Sequence, residues 1–77
     1  MAEHHLDARG LICPLPVLKA RKVLLKLSAG DTLRVQVTDR AAPKDFQLFC
    51  TESGHILQSV QERGDDIDVI VVRGKLV

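Results

Sequence analysis

Thr32-Leu33-Arg34-Val35-Gln36-Val37-Thr38 alternates without a break. Leu33, Val35 and Val37 point one way, and Arg34 and Gln36 the other, as in a strand with one face covered and one face wet. The flanks of this strand are helical. Upstream, Pro14 to Leu27 carries Val17, Ala20, Leu24 and Leu27 at helical spacing, with Leu18 and Leu25 widening the stripe. Lys19, Lys22 and Lys26 share the opposite face, with Arg21 nearby, and Ser28-Ala29-Gly30 closes the helix, Gly30 suiting a left-handed cap. Downstream, Asp39 to Pro43 reads as a turn that launches a second helix, with Phe46, Phe49 and Cys50 on its apolar stripe, Leu48 near its edge and Gly54 as its end cap.

Further out, residues 5–8 form a short first strand before the turn Ala8-Arg9-Gly10. His55 to Glu62 is a third strand, Arg63-Gly64-Asp65-Asp66 a turn, and Ile67 to Val72 a fourth strand, apolar enough to be central or covered on both faces. The order is β-α-β-α-β-β. Its two crossovers imply parallel pairing early in the chain, and the last two strands form a hairpin. The expected fold is α/β in the broad sense: an α+β two-layer sandwich with two helices on one face of a four-stranded mixed sheet.

At 77 residues the chain has room for one small domain, residues 1–77. Aromatic residues make up only 3%, so Leu, Val and Ile must fill the core. The net charge of +1 gives no global reason to expect nucleic acid or an acidic surface as partner. Two cysteines are too few for the disulfide framework of a secreted mini-protein. The N-terminus has no apolar signal region, and no apolar run approaches the ~20 residues of a membrane span. The expected setting is a reducing cytoplasm, where a free thiol is chemically useful.

Cys13-Pro14-Leu15-Pro16 carries the chemistry. Pro14 biases Cys13 toward extended dihedrals, as an N-cap residue requires, and prolines are tolerated in a first helical turn because N–H groups there lack intrahelical partners. With Cys13 as N-cap, its sulfur lies beside the N–H of Leu15 and at the positive end of the helix dipole. No Asp or Glu follows in that first turn. The expectation is a thiolate stabilised below the ordinary cysteine range, exposed and nucleophilic. Arg9 adds positive charge if the turn folds back. The bland alternative is a buried cysteine at a helix start.

Leu6-Asp7-Ala8-Arg9-Gly10-Leu11-Ile12-Cys13-Pro14-Leu15-Pro16 resembles the signature of the TusA/SirA family of small sulfur-carrier proteins: Leu-Asp, two residues, Gly-Leu, one residue, then Cys-Pro-x-Pro. Gly30-Asp31, Phe49-Cys50 and Gly54-His55 agree with it downstream, and the similarity spans roughly residues 5–74. The resemblance implies sulfur relay. Cys13 would accept a persulfide sulfur from a cysteine desulfurase or rhodanese-type donor and pass it to an acceptor protein, for tRNA thiolation, molybdenum cofactor biosynthesis or sulfur oxidation. Pro14, Leu15 and Pro16 would shape the helix cap, and no metal or organic cofactor is implied. Two features depart from the family pattern. Leu15 stands where several members have an acidic residue, making the rim more apolar, and Asp39 is followed by Arg40, with the proline only at Pro43.

Other residues have plainer readings. Cys50, mid-helix on the apolar stripe, reads as a core cysteine before a resolving thiol. His4, His5 and His55 match no common zinc spacing. Arg9, Lys19, Lys22 and Lys26 form a basic surface that is either simply solvated or docks an acidic patch on a partner. Contact with RNA is disfavoured by the near absence of stacking aromatics. Asp31, Asp39 and Asp45 read as turn and cap residues. The chain is expected to be monomeric, without a membrane. The alternative function is a non-catalytic interaction or regulatory module in which Cys13 only caps the first helix.

Overall fold

The computed structural model describes residues 2–75. Six elements follow one another: β1 (Glu3–Ala8), α1 (Leu15–Leu24), β2 (Thr32–Val37), α2 (Ala42–Ser53), β3 (Ile56–Arg63) and β4 (Asp66–Val72). The strands form one sheet in the order β1-β2-β4-β3. β1 pairs parallel with β2, while β4 pairs antiparallel with both β2 and β3. β4 is thus central, and β2 and β3 run the same way on either side of it, so both crossovers return parallel, as the element order requires.

The core lies between the sheet and the two helices. Leu33, Val35 and Val37 of β2 and Ile67, Val69 and Val71 of β4 are buried beside Ala20 and Leu24 of α1 and Ala42, Phe46 and Cys50 of α2. Val35 and Val69 are register partners, which places the two hydrophobic rows side by side. The other face of the sheet carries no helix and is mixed, with Arg34, Gln36 and Asp68 beside Ile70 and Val72. There Asp68, register partner of Gln36, is buried beneath two guanidiniums, with Arg63 Nε 3.2 Å and Arg34 Nε 4.0 Å from its carboxylate. Coverage of β4 on that face therefore comes from long arginine side chains.

Three local expectations are corrected. First, α1 is shorter than its apolar period. It ends at Leu24, and Lys26 N–H and Leu27 N–H bond back to the carbonyls of Val23 and Leu24 in tighter turns. Second, Gly30 is left-handed with φ 91°, but it lies beyond that end, where its N–H meets the carbonyl of Arg73. The left-handed cap that does close a helix is Gly54, φ 84°, whose N–H returns to the carbonyl of Cys50. Third, Leu18 and Leu25 do not join the core; both are about half exposed.

The chain closes on itself through His55 and Gly74. His55 is buried, and its Nδ1 accepts the N–H of Gly74 at 3.0 Å. Burial first, and the nearby Arg73 charge second, hold its pKa below the usual histidine range. Among the described residues no helix is long and apolar enough to cross a membrane.

Candidate functional site

β1 and β2 are parallel and adjacent, so their C-terminal ends open at the same edge of the sheet. That topology builds the site. The chain leaving β1 turns at Gly10, left-handed with φ 81°, whose N–H bonds Thr38 Oγ1 just beyond β2 at 2.9 Å. Cys13 follows three residues later and Asp39 comes directly after Thr38, so the two loops meet. The Cys13 N–H donates to Asp39 Oδ2 at 2.7 Å. The other oxygen of Asp39 accepts the N–H of Ala41 at 2.9 Å, an Asx turn that starts α2. These two N–H donors, Cys13 first, hold the Asp39 carboxyl below the ordinary range.

Asp45 lies in the first turn of α2, where a carboxylate is favoured by the helix dipole. Its Oδ2 accepts a hydrogen bond from the Cys13 thiol. Cys13 is partly exposed and makes no disulfide. The hydrogen bond to Asp45 is the main influence on the thiol, followed by partial burial and the negative charges of Asp45 and Asp39. All of these raise its pKa.

This reverses the expectation of a low-pKa thiolate. Cys13 is not the N-cap of α1; Pro14 is, with φ −98° and ψ 15°, and no side chain caps this end. The Leu15 N–H is already taken by the carbonyl of Ile12 at 2.9 Å. The helix end thus offers the sulfur no free donor at that position, while α2 brings a carboxylate to it. The Cys13–Pro14 peptide bond is cis.

Arg9 does not turn toward the sulfur. Its guanidinium is paired with Asp7 at 2.9 Å and lies 3.7 Å from Asp66. Hydrogen bonds from Arg9 pull Asp7 down to about 2. Pro16 is buried on the core side of α1, and Leu15 is half exposed at the rim. Lys19, Lys22 and Lys26 are all exposed.

Cys50 points into the core, 2% exposed, and burial pushes its thiol up to about 11. The histidines have separate partners: His4 lies 3.6 Å from Asp31, His5 is 3.1 Å from Gln36, and His55 holds Gly74. Among the described residues no three His, Cys, Asp or Glu side chains group closely enough to hold a metal ion.

The residues that sequence reasoning passed over are Asp39 and Asp45, taken there as turn and cap residues. Asp39 is a turn residue as well as a ligand of the Cys13 backbone. The usable signal was the parallel β-α-β order, which brings the first residues after β1 and β2 together.

Comparison with known proteins places the chain in a family and matches its fold. Residues 4–74 match the model of the family described as sulfurtransferase TusA. The chain is 39% identical to the sulfur carrier protein TusA of Allochromatium vinosum over 69 residues, covering 90% of this chain and 91% of that one. It is 44% identical over 75 residues, 97% of this chain and all of the relative, to a Neisseria meningitidis serogroup A protein whose name places it among sulfur carriers. The crystal structure of the SirA-like protein from Desulfitobacterium hafniense superposes with a TM-score of 0.81 at 29% identity, covering 94% of this chain and 99% of that one.

Proposed function

The chain belongs to the TusA/SirA family of small sulfur-carrier proteins, and we propose from that membership that Cys13 is the atom that carries the sulfur. One observation supports this assignment above the rest. A carried sulfur must be reached by a second protein, and of the chain's two thiols Cys13 is partly exposed while Cys50 is 2% exposed.

At rest Cys13 is a guarded thiol, its proton directed at Asp45. Thiolates, not thiols, are oxidised and alkylated, so this arrangement slows unselective reaction. In the transfer step a partner displaces or neutralises Asp45, Cys13 releases its proton, and the thiolate attacks the outer sulfur of a donor persulfide. The bond between the two donor sulfurs breaks, a bond from Cys13 to the outer sulfur forms, and the donor leaves as a thiolate, which the displaced proton neutralises. No net oxidation or reduction occurs; this is thiol–disulfide exchange with one extra sulfur. Discharge repeats the step, with an acceptor thiolate attacking the terminal sulfur on Cys13. A cysteine desulfurase or a rhodanese-type protein supplies the sulfur, and a downstream acceptor protein removes it.

The test is intact mass after incubation with a cysteine desulfurase and free cysteine, without reductant. The expected result is a reducible gain of sulfur in the wild type and in Cys50→Ser, and none in Cys13→Ser. If no gain occurs from the desulfurase, a rhodanese or inorganic polysulfide, the chain does not carry sulfur on Cys13 and is better read as an interaction module.

A further inference from the structure

The water-facing side of α1 is not what a solitary helix presents. Leu15, Leu18 and Leu25 are 47%, 46% and 55% exposed, and Ile12, just before the helix, is 72% exposed. With Lys19, Arg21 and Lys22 these leucines line an open groove of about 520 Å³. At roughly 100° per residue, Leu15, Leu18, Lys22 and Leu25 fall on the side of the helix away from Pro16, Ala20 and Leu24, which face the core. α1 therefore has two apolar stripes, and the sheet covers only one. A contiguous exposed stripe rimmed by polar groups marks an interaction surface.

Charge selects the occupant. No Asp or Glu occurs from Gly10 to Gly30, whereas Lys19, Arg21, Lys22 and Lys26 do. Among the described residues none of these four cations takes part in an ion pair. The whole chain has a net charge of only +1, so positive charge is concentrated on this helix. On the other side of Cys13 stand the carboxylates of Asp39 and Asp45. A groove that is apolar at its floor and basic at its rim calls for an occupant with apolar side chains flanked by acids, which an amphipathic polypeptide segment supplies. We propose that the exposed face of α1 docks an amphipathic, carboxylate-rich segment of the protein with which Cys13 exchanges sulfur. Its apolar side chains enter the leucine groove and its acids meet the Lys19–Lys22 rim. The identity of that protein as an exchange partner rests on the carrier reading of Cys13; the groove and its preference for acids do not.

The test titrates the isotope-labelled full chain with two synthetic helical peptides. Both carry Leu at i, i+3, i+4 and i+7; one has Glu at the remaining positions, the other Lys. The Glu peptide is expected to bind at least about tenfold more tightly, with NMR shift changes confined to Ile12–Lys26 and an affinity that falls with added salt. The double change Lys19→Glu, Lys22→Glu should reverse the preference, and Leu18→Ser should weaken both peptides. Because these side chains are exposed, native NMR dispersion should persist in each variant. Equal binding of the two peptides, shifts elsewhere on the chain, concentration-dependent pairing through this face, or tighter binding to phosphatidylglycerol vesicles than to the Glu peptide would each overturn the proposal. Polysulfide loading of Cys13, run alongside, needs no docking, so its failure sinks the carrier reading and not this one.

Discussion

Cys50 sits on the inner side of α2, 2% exposed among Phe46 and the valines of β2 and β4, and its pKa is pushed up to about 11 by burial alone. Cys13 sits where two loops meet at the sheet edge, partly exposed, and its pKa is also raised, but by a carboxylate that takes its hydrogen bond. Both thiols are therefore protonated at neutral pH, for different reasons. Burial blocks access as well as ionisation, and only unfolding removes it. A hydrogen-bonded carboxylate leaves the sulfur within reach, and its influence ends when a partner moves or neutralises the carboxylate. A guarded but reachable thiol suits a carrier; a buried one serves packing.

The sharpest way to break this contrast is differential labelling. In native buffer a small alkylating reagent is expected to modify Cys13 and leave Cys50 untouched, and in denaturant to modify both; peptide mapping reads the outcome. Labelling of Cys50 in the native state would show that the core opens more readily than its packing implies. The next largest effect is on rate. Asp45→Asn keeps an acceptor but removes the charge, so Cys13 alkylation near neutral pH should accelerate by roughly tenfold for each pKa unit recovered. An unchanged rate would mean that Asp45 does not govern the thiol. The pH profile of the wild type should likewise have a midpoint above that of free cysteine.

Smaller effects concern stability. Cys50→Ala removes one buried sulfur from the core and should cost about 1 kcal/mol in urea unfolding, with sulfur loading intact. The mildest effect is acid sensitivity. The pKa of Asp39 is lowered in the folded state by the N–H groups of Cys13 and Ala41. Its contribution is thus fully present above the unfolded carboxyl pKa of roughly 3.9 and fades as pH falls through the lower folded value. The urea midpoint should therefore decline below about pH 4, and less so in Asp39→Asn. Equal slopes in the two proteins would place the acid sensitivity elsewhere, with Asp7, pulled down to about 2 by Arg9, and Asp31, lowered by the Ser28 and Ala2 N–H groups, the next candidates.

Much of this molecule is legible in its residues. The alternation from Thr32 to Val37, the apolar run from Ile67 to Val72 and the glycine at 54 are local signals, and each corresponds to an observed strand or cap. The burial of Cys50 followed from its place on the Phe46 stripe. Leu18 and Leu25 were misread because a hydrophobic period identifies an apolar stripe without saying what covers it. The four-stranded sheet offers α1 one surface, and that surface is filled by Pro16, Ala20 and Leu24.

By itself the sequence determined the elements, their order and the family, because these rest on short-range periodicity and on the run from Leu6 to Pro16. Tertiary structure decided the state of the sulfur. Cys13 and Asp45 are 32 residues apart along the chain. Only the parallel pairing of β1 with β2, with α2 launched from the same sheet edge, brings a carboxylate to the thiol. Thiol ionisation depends on charges and hydrogen-bond partners within a few ångströms, so the first turn of α1, the nearest sequence on the C-terminal side of Cys13, gave the opposite sign.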